Sequence, residues 1–216
     1  LKTSHAVQLS GLQAETEYHL QLLSADANGN LAVSGDLTFT TGVNPEPSFV
    51  QRINVGGDAV STSDGRAWDA DQEYASGGWG YVASRSGTSS TGDAIANTDH
   101  DILYQSNRYR IDSYRVTVPE DGTYSVQLLL AETYYSETDK RIFDIQLEGD
   151  TVIDNLDMID EAGHDTALLY AFDVEVTDGV LDIDFKRVQE NALINAIEVT
   201  SGTPPPPDVL SLIHIS

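Results

Sequence analysis

Apolar and polar residues alternate with a period of two through short runs separated by Gly, Pro, Asp and Asn. "SYRVTV" puts Tyr114, Val116 and Val118 on one face, and "TYSVQLLLAE" does the same with Tyr124, Val126, Leu128 and Leu130. "RIFDIQLEGD" turns Phe143, Ile145 and Leu147 inward, with Asp144, Gln146 and Glu148 outward. Strict alternation is the mark of a strand with one buried face. The "PEDG" between the first two runs is short enough to predict antiparallel neighbours, and "AFDVEVTDGVLDIDF" reads as a further hairpin hinged on Asp178-Gly179. "ALINAIEV" is apolar on both faces, which predicts a strand interior to a sheet. No long amphipathic helical pattern appears. Many short strands predict an all-β fold, a two-sheet jelly-roll sandwich.

The punctuation of the chain predicts its domains. Residues 1–42 carry shorter runs, "HAVQLSGL", "TEYHLQLLSAD" and "GDLTFTTG", in which Tyr18, Leu20 and Leu22 alternate with His19, Gln21 and Leu23: three strands at most. "VNPEP" at 43–47 is a proline-interrupted linker, because each proline fixes its own φ and biases the residue before it to extended geometry. The main domain is expected over 48–200. "GTPPPPD" lies within a semi-rigid, proline-rich spacer at 201–209, and the apolar "LSLIHIS" at 210–216 reads as a non-native tail resembling translated sequencing-adaptor DNA. The opening "LKTSHAV" reads as an excerpt of something longer.

Charge narrows the partners. Asp and Glu number 35 against 11 Lys and Arg, a formal net charge of -24. Nucleic acid and anionic membrane surfaces are therefore repelled, and the acidic balance reads first as a solvated surface. The chain has no cysteine, hence no disulfide framework, thiolate nucleophile or zinc-thiolate site. No apolar run reaches the ~20 residues that span a bilayer, so no membrane insertion is expected.

Specific stretches point to families. "LSGLQAETEY" resembles the approach to the sixth strand of fibronectin type III domains, which implies that residues 1–42 are the C-terminal part of such a sandwich, with Tyr18 in its tyrosine corner. "RINVGG" (52–57), "LYQSNRY" (103–109), "GTYSVQLLLAETYYSE" (122–137), "RIFDIQLEGDTVIDNLDM" (141–158) and "ENALINAIEV" (190–199) resemble malectin domains in order and spacing. The resemblance implies a malectin or galactose-binding-like β-sandwich that binds glucose-type oligo- or polysaccharides without catalysis. It also implies a place beside fibronectin type III repeats in large secreted or surface proteins of bacteria, so an extracellular or cell-surface location and covalently linked neighbouring domains are expected. The family's site uses aromatics from the first long loop, the "LYQ" motif and the tip after "AE", with an aspartate before the final strand. The matching positions are Trp79 or Tyr81, then Tyr104, then Tyr134 and Tyr135, and finally Glu190, where the acid is a glutamate.

The residue types agree with that assignment. A pyranose has an apolar C–H face and a polar rim, so aromatic platforms with one or two hydrogen-bonding acids suit it. Two adjacent tyrosines cannot both enter one core from a strand, which predicts a loop that turns Tyr134 and Tyr135 towards a ligand. Tyr109 and Tyr124 read as packing residues. Asp69, Asp71 and Glu73 open with the spacing of a calcium loop, yet its sixth position is Tyr74 and its twelfth Gly80 in place of Gly and Glu, so no metal or other cofactor is expected. His5, His19, His100, His164 and His214 show no metal-ligand spacing. An adhesion or stalk module that binds no sugar is the alternative reading. A part of a glycoside hydrolase is the third, although Glu132, Glu137, Asp139 and Glu190 do not establish an acid pair.

Overall fold

The computed structural model describes residues 15–25, 29–41 and 47–201. The chain divides into two compact units, one of them Pro47–Gly202. The expected tyrosine-corner partner of Tyr18 falls in residues 1–14, and most of both expected linkers and all of 210–216 also lie outside the described residues.

In the N-terminal unit, β1 (Glu17–Leu20) pairs antiparallel with β4 (Leu37–Thr40), and β2 (Leu23–Ala25) with β3 (Leu31–Val33). Tyr18, Leu20 and Leu22 are half-buried while Glu17, His19 and Gln21 are exposed, as the alternation predicts. The expectation of at most three strands is corrected to four among the described residues, because each arm breaks once. The register steps by one residue between Leu20↔Leu37 and Leu23↔Val33, a bulge held where Ser34 N donates to Leu22 O at 2.9 Å and Leu22 N to Ser34 Oγ at 3.0 Å. Tyr18 stacks on its cross-strand partner Phe39 with ring centroids 5.7 Å apart.

The larger unit is a sandwich. Its strands are β5 (Val50–Asn54), β6 (Val60–Ser61), β7 (Ala67–Ala70), β8 (Trp79–Val82), β9 (Gly87–Ser90), β10 (Ser106–Tyr109), β11 (Ser113–Thr117), β12 (Gly122–Leu130), β13 (Ile142–Leu147), β14 (Asp150–Leu156), β15 (Leu168–Val176), β16 (Val180–Gln189), β17 (Leu193–Ile194) and β18 (Ala196–Ser201). One sheet runs β15-β12-β18-β5-β7-β6 and the other β14-β13-β16-β11-β8, with a small β17-β10-β9 sheet beside them. Tyr124, Val126, Leu128 and Leu130 of the first sheet and Tyr114, Val116, Phe143, Ile145, Leu181 and Ile183 of the second belong to one buried cluster. Each such side chain contributes roughly 1.5–3 kcal/mol of burial. Ser201 closes the unit on its own start, its N–H donating to Phe49 O at 2.9 Å while its Oγ accepts from Phe49 N at 3.1 Å.

Two expected hairpins are corrected. β11 pairs with β16 and β8, whereas β12 pairs with β15 and β18, so "PEDG" carries the chain from one sheet to the other. The turn at Asp178-Gly179 does the same between β15 and β16. Inward faces that share one core satisfy the same alternation whether two strands lie in one sheet or in opposing sheets, and about four residues easily span the ~10 Å between sheets. The two crossings are tied together by Val118 N donating to Gly179 O at 3.0 Å. A local hairpin does join β13 to β14, through Glu148 and Gly149 at φ +50° and +84°, the left-handed pair that a tight hairpin turn requires.

β18 lies between β12 and β5 with both faces buried, as its sequence predicts. Ile197 and Val199 face the sandwich, and Ala196 faces outward into a second apolar cluster with Leu129, Trp68, Ile95, Leu103 and Tyr104. The connection from β9 to β10, with a 3-10 turn at Asp101–Leu103, supplies the last three of that cluster's loop side chains as a cover for the outer face.

Candidate functional site

Immediately after β12 the chain leaves the sheet as "AETYYSETDK", and Glu132 fixes its path. Glu132 is 1% exposed; its Oε1 accepts from Tyr134 N at 3.0 Å and Tyr135 N at 3.1 Å. Its Oε2 accepts from Arg141 Nε at 2.6 Å, so one carboxylate both shapes the turn and neutralises a guanidinium that is itself 8% exposed. The Arg141 guanidinium lies 5.2 Å from the centroid of the half-buried Tyr135 ring, and Tyr134 meets Tyr135 edge-on at 4.8 Å and 87°. These four side chains form a column from core to solvent, ending on Tyr134 at 76% exposure. His164 Nδ1 donates to Tyr135 O at 2.8 Å, since a carbonyl only accepts, and pins the far side of the turn.

Glu190 and Tyr104 reach the same end of the sandwich by different routes. Arg141 Nη1 donates to Asn191 O, and Asn191 Nδ2 donates to Oε1 of the exposed Glu190, whose backbone sits at φ +56°. Asn195, fully buried, accepts from Ala131 N at 2.8 Å and donates to Tyr104 O at 2.7 Å and Ser106 O at 2.9 Å. Tyr104 is thereby held one amide away from the start of the tyrosine loop. Its ring is 5% exposed in the outer apolar cluster, and burial pushes its phenol up to about 12. The Tyr104 hydroxyl has no hydrogen-bond partner among the described residues, yet it is not among the atoms sealed from solvent. A neutral phenol with an open donor and acceptor therefore touches the surface above a buried ring.

Trp79 and Tyr81 are not brought to this end. The expectation of a first long loop there is corrected to strand β8, at the edge of the five-stranded sheet. Gly80 at φ +147° crosses so close to Gln72 O that a Cβ would come within 2.5 Å, and its neighbours on either side, sharing one face, pack against the core. Tyr81 lies under Arg108, 3.5 Å from ring centroid to guanidinium, and edge-on to Tyr114 at 6.4 Å. Along the Tyr81↔Tyr114↔Ile183 register it stands six residues from Gln189, ~20 Å at 3.3 Å per residue.

Two of the three acids at 69–73, Asp69 and Asp71, have structural work. Asp71 accepts from Gly56 N at 2.8 Å, Arg108 Nε at 2.7 Å and Tyr114 OH at 2.7 Å, and Asp69 accepts from Gln51 Nε2 at 2.8 Å. Burial first and then the Asp71 charge hold the Tyr114 phenol well above its usual range. Among the described residues no group of three or more His, Asp or Glu is placed to hold a metal ion.

Sequence reasoning passes over Arg141 and Asn195, and it gives Glu132 and His164 no part in shaping the loop. One of them leaves a signal: Asn195 is a lone amide inside the apolar run "ALINAIEV", and an amide there must satisfy its hydrogen bonds within the core. The arrangement offers an exposed aromatic face, three phenols and a carboxylate on one loop-built end, a chemistry of stacking and hydrogen bonding.

A malectin domain profile matches residues 49–204. Malectin-B of Xenopus laevis is 32% identical over 124 residues, 50% of this chain and 45% of that protein, and Malectin of Homo sapiens is 32% identical over 124 residues, 50% of this chain and 42% of that protein. The chain spans less than half the length of the curated relatives it matches. Among solved structures, a Bacteroides uniformis beta-glucuronidase superposes with a TM-score of 0.65 at 23% identity, over 86% of this chain and 22% of that one. The ANX2 ectodomain from Arabidopsis thaliana superposes with a TM-score of 0.58 at 15% identity, over 69% and 48%. At such identities the two structures speak for a shared fold alone.

Proposed function

The chain belongs to the malectin domain family, and from that premise we propose that residues 48–200 are a non-catalytic carbohydrate-binding module for glucose-type oligo- or polysaccharides. The observation that carries this reading is Tyr134, 76% exposed and set edge-on to Tyr135 on a turn anchored by a buried ion pair. A large ring held out in water loses burial energy unless something covers it, and a pyranose C–H face fits that role. Tyr135, the open hydroxyl of Tyr104 and the Glu190 carboxylate supply hydrogen bonds around the rim. Trp79 and Tyr81 take no part, being packed at the edge of the other sheet.

The wider context is part of the same proposal. Residues 1–42 are the end of a fibronectin type III sandwich, 43–47 and 201–209 are linkers, and the module tethers a larger secreted or cell-surface protein to a glycan. A shallow site of this kind binds with about −4 to −6 kcal/mol, millimolar to tens of micromolar. The test is a glycan array followed by calorimetric titration of the best glucose-containing oligosaccharide. Tyr134→Ala should weaken binding about tenfold, roughly 1.4 kcal/mol, with the melting temperature almost unchanged. No binding to any glycan would support a spacer instead, and sugar release would make the module catalytic.

A further inference from the structure

In a chain of net charge -24, cations are few, and most of the described ones are spoken for. Of the ten described lysines and arginines, seven face a carboxylate within 4 Å. The three that do not, Arg85, Arg110 and Arg187, all line one cleft of about 430 Å³. Lys186, held at 3.2 Å from Asp184, lines it as well, and Asp112 is the only acid in its wall.

The topology explains why the cleft exists. β11 accompanies β16 only to Ser113↔Asp184, and Phe185 N donating to Asp112 O at 3.0 Å is the last link between them. Beyond it β16 runs on to Gln189 beside β13 alone, and residues 84–85 and 110–111 line the far side of the gap. The gap has a buried apolar floor of Ile111, Phe185 and Ala192 and a rim of guanidinium groups. Asn191 lines it too, and the carbonyl of that residue accepts from Arg141, the cation beneath Tyr135. The cleft therefore adjoins the tyrosine end of the sandwich.

We propose that this cleft binds an oxyanion carried on a sugar ring, a uronate carboxylate or a sulfate ester, in the glycan that the tyrosine end engages. The sugar part of this inference rests on the carbohydrate reading above; the anion part stands on the cleft. Guanidinium is a planar fork that matches carboxylate and sulfate oxygens two at a time, and here three of them have no carboxylate partner among the described residues, Arg110 resting only on the Tyr109 ring at 5.9 Å. The apolar floor suits a ring rather than a bare ion. The overall acidity does not oppose this at short range, because charges beyond ~8 Å are screened at physiological salt. It does select against densely charged polyanions, so the ligand carries isolated anionic units in an otherwise neutral chain.

The test compares, on the full chain, a gluco-oligosaccharide with its counterparts bearing one glucuronate or one O-sulfate, together with inorganic sulfate and acetate. At least one acidic sugar should bind about tenfold tighter than the neutral one, and which does so identifies the anion. Arg85→Gln with Arg187→Gln should abolish that preference while leaving the neutral affinity intact, and Tyr134→Ala should weaken all the sugars together. Equal affinity for neutral and acidic sugars, a preference that survives the double variant, or inorganic sulfate binding as tightly as the sugars would each overturn the proposal. Should no oligosaccharide bind, the carbohydrate reading fails by itself, and the cleft is read from the Nε–H NMR signals of its arginines during titration with sodium glucuronate. Saturable shifts of these signals, absent with acetate and with inorganic sulfate, uphold the site, and their absence overturns it.

Discussion

Glu132 is the residue on which the tyrosine loop depends. Its carboxylate serves two backbone amides and one guanidinium, and both it and Arg141 are out of water. Removing one member of a buried pair strands the other charge, which costs about 3–5 kcal/mol, far beyond the 0–1 kcal/mol of an exposed pair. Glu132→Ala should therefore lower unfolding stability by that amount and release the turn, so that affinity falls as well. Lys140→Ala, eight residues on, removes only an exposed partner of Glu137 and should change stability by less than 0.5 kcal/mol, within the usual range for surface substitutions. Urea denaturation of both variants separates the cases, and near-equal losses would mean that the Glu132 pair is hydrated and replaceable. Tyr134 stands at the other extreme: it contributes to a surface and hardly to the fold.

At the scale of elements, the cover formed by the connection from β9 to β10 makes a pH prediction. Tyr104 sits in that cover, and its folded-state value near 12 lies above the ordinary 10.0 because burial disfavours phenolate. The folded chain therefore holds the proton more tightly than the unfolded chain. Its contribution is complete below pH 10 and is lost as pH rises from 10 through 12, and Tyr114, raised further by burial and by Asp71, extends the loss upward. The melting temperature should fall steeply over that window, and Tyr104→Phe should flatten the fall with little effect at pH 7, where no internal hydrogen bond of the hydroxyl is given up. An unchanged alkaline slope in the variant would place that phenol in water. This cover also marks the limit of what the sequence reveals. Alternation gave the inward residues of β12 and β13 correctly, and the doubly apolar "ALINAIEV" announced the interior position of β18, although its Leu193 and Ile194 form the separate edge strand β17 of the small sheet. It was silent on which sheet receives the next strand, because both sheets offer the same core to an inward face. It was equally silent on what lies above Leu129, whose outward direction is apolar only because a loop far along the chain returns to cover it. In the site, the paired tyrosines and the "LYQ" tyrosine were legible as aromatic residues in unusual places. The ion pair beneath them was not, since eight residues of loop separate Glu132 from Arg141 and nothing local requires them to meet.

For the whole molecule, the two compact units set the expectation for cooperativity. The larger unit closes on itself: Phe49 and Ser201 exchange hydrogen bonds at its first and last strands, and among the described residues its main apolar cluster draws on residues 49–199. The smaller unit offers among its described residues two short strand pairs with Leu23, Leu31 and Leu37 exposed at 63%, 61% and 38%. Isolated two-stranded ribbons are marginal in water, whereas a two-sheet core of this kind is sufficient for a domain. Deleting residues 1–42 should then leave the main calorimetric transition within about 2 °C of the parent, less than the ~2–4 °C that 1 kcal/mol moves a domain of 150–250 residues. Sugar affinity should stay the same in the shortened chain, because every group assigned to the tyrosine end and to the arginine cleft lies between Ser84 and Asn195. A fall of ten degrees, or a loss of binding without a fall, would mean that the N-terminal unit completes the sandwich or the site, and the module would have to be redrawn to include it.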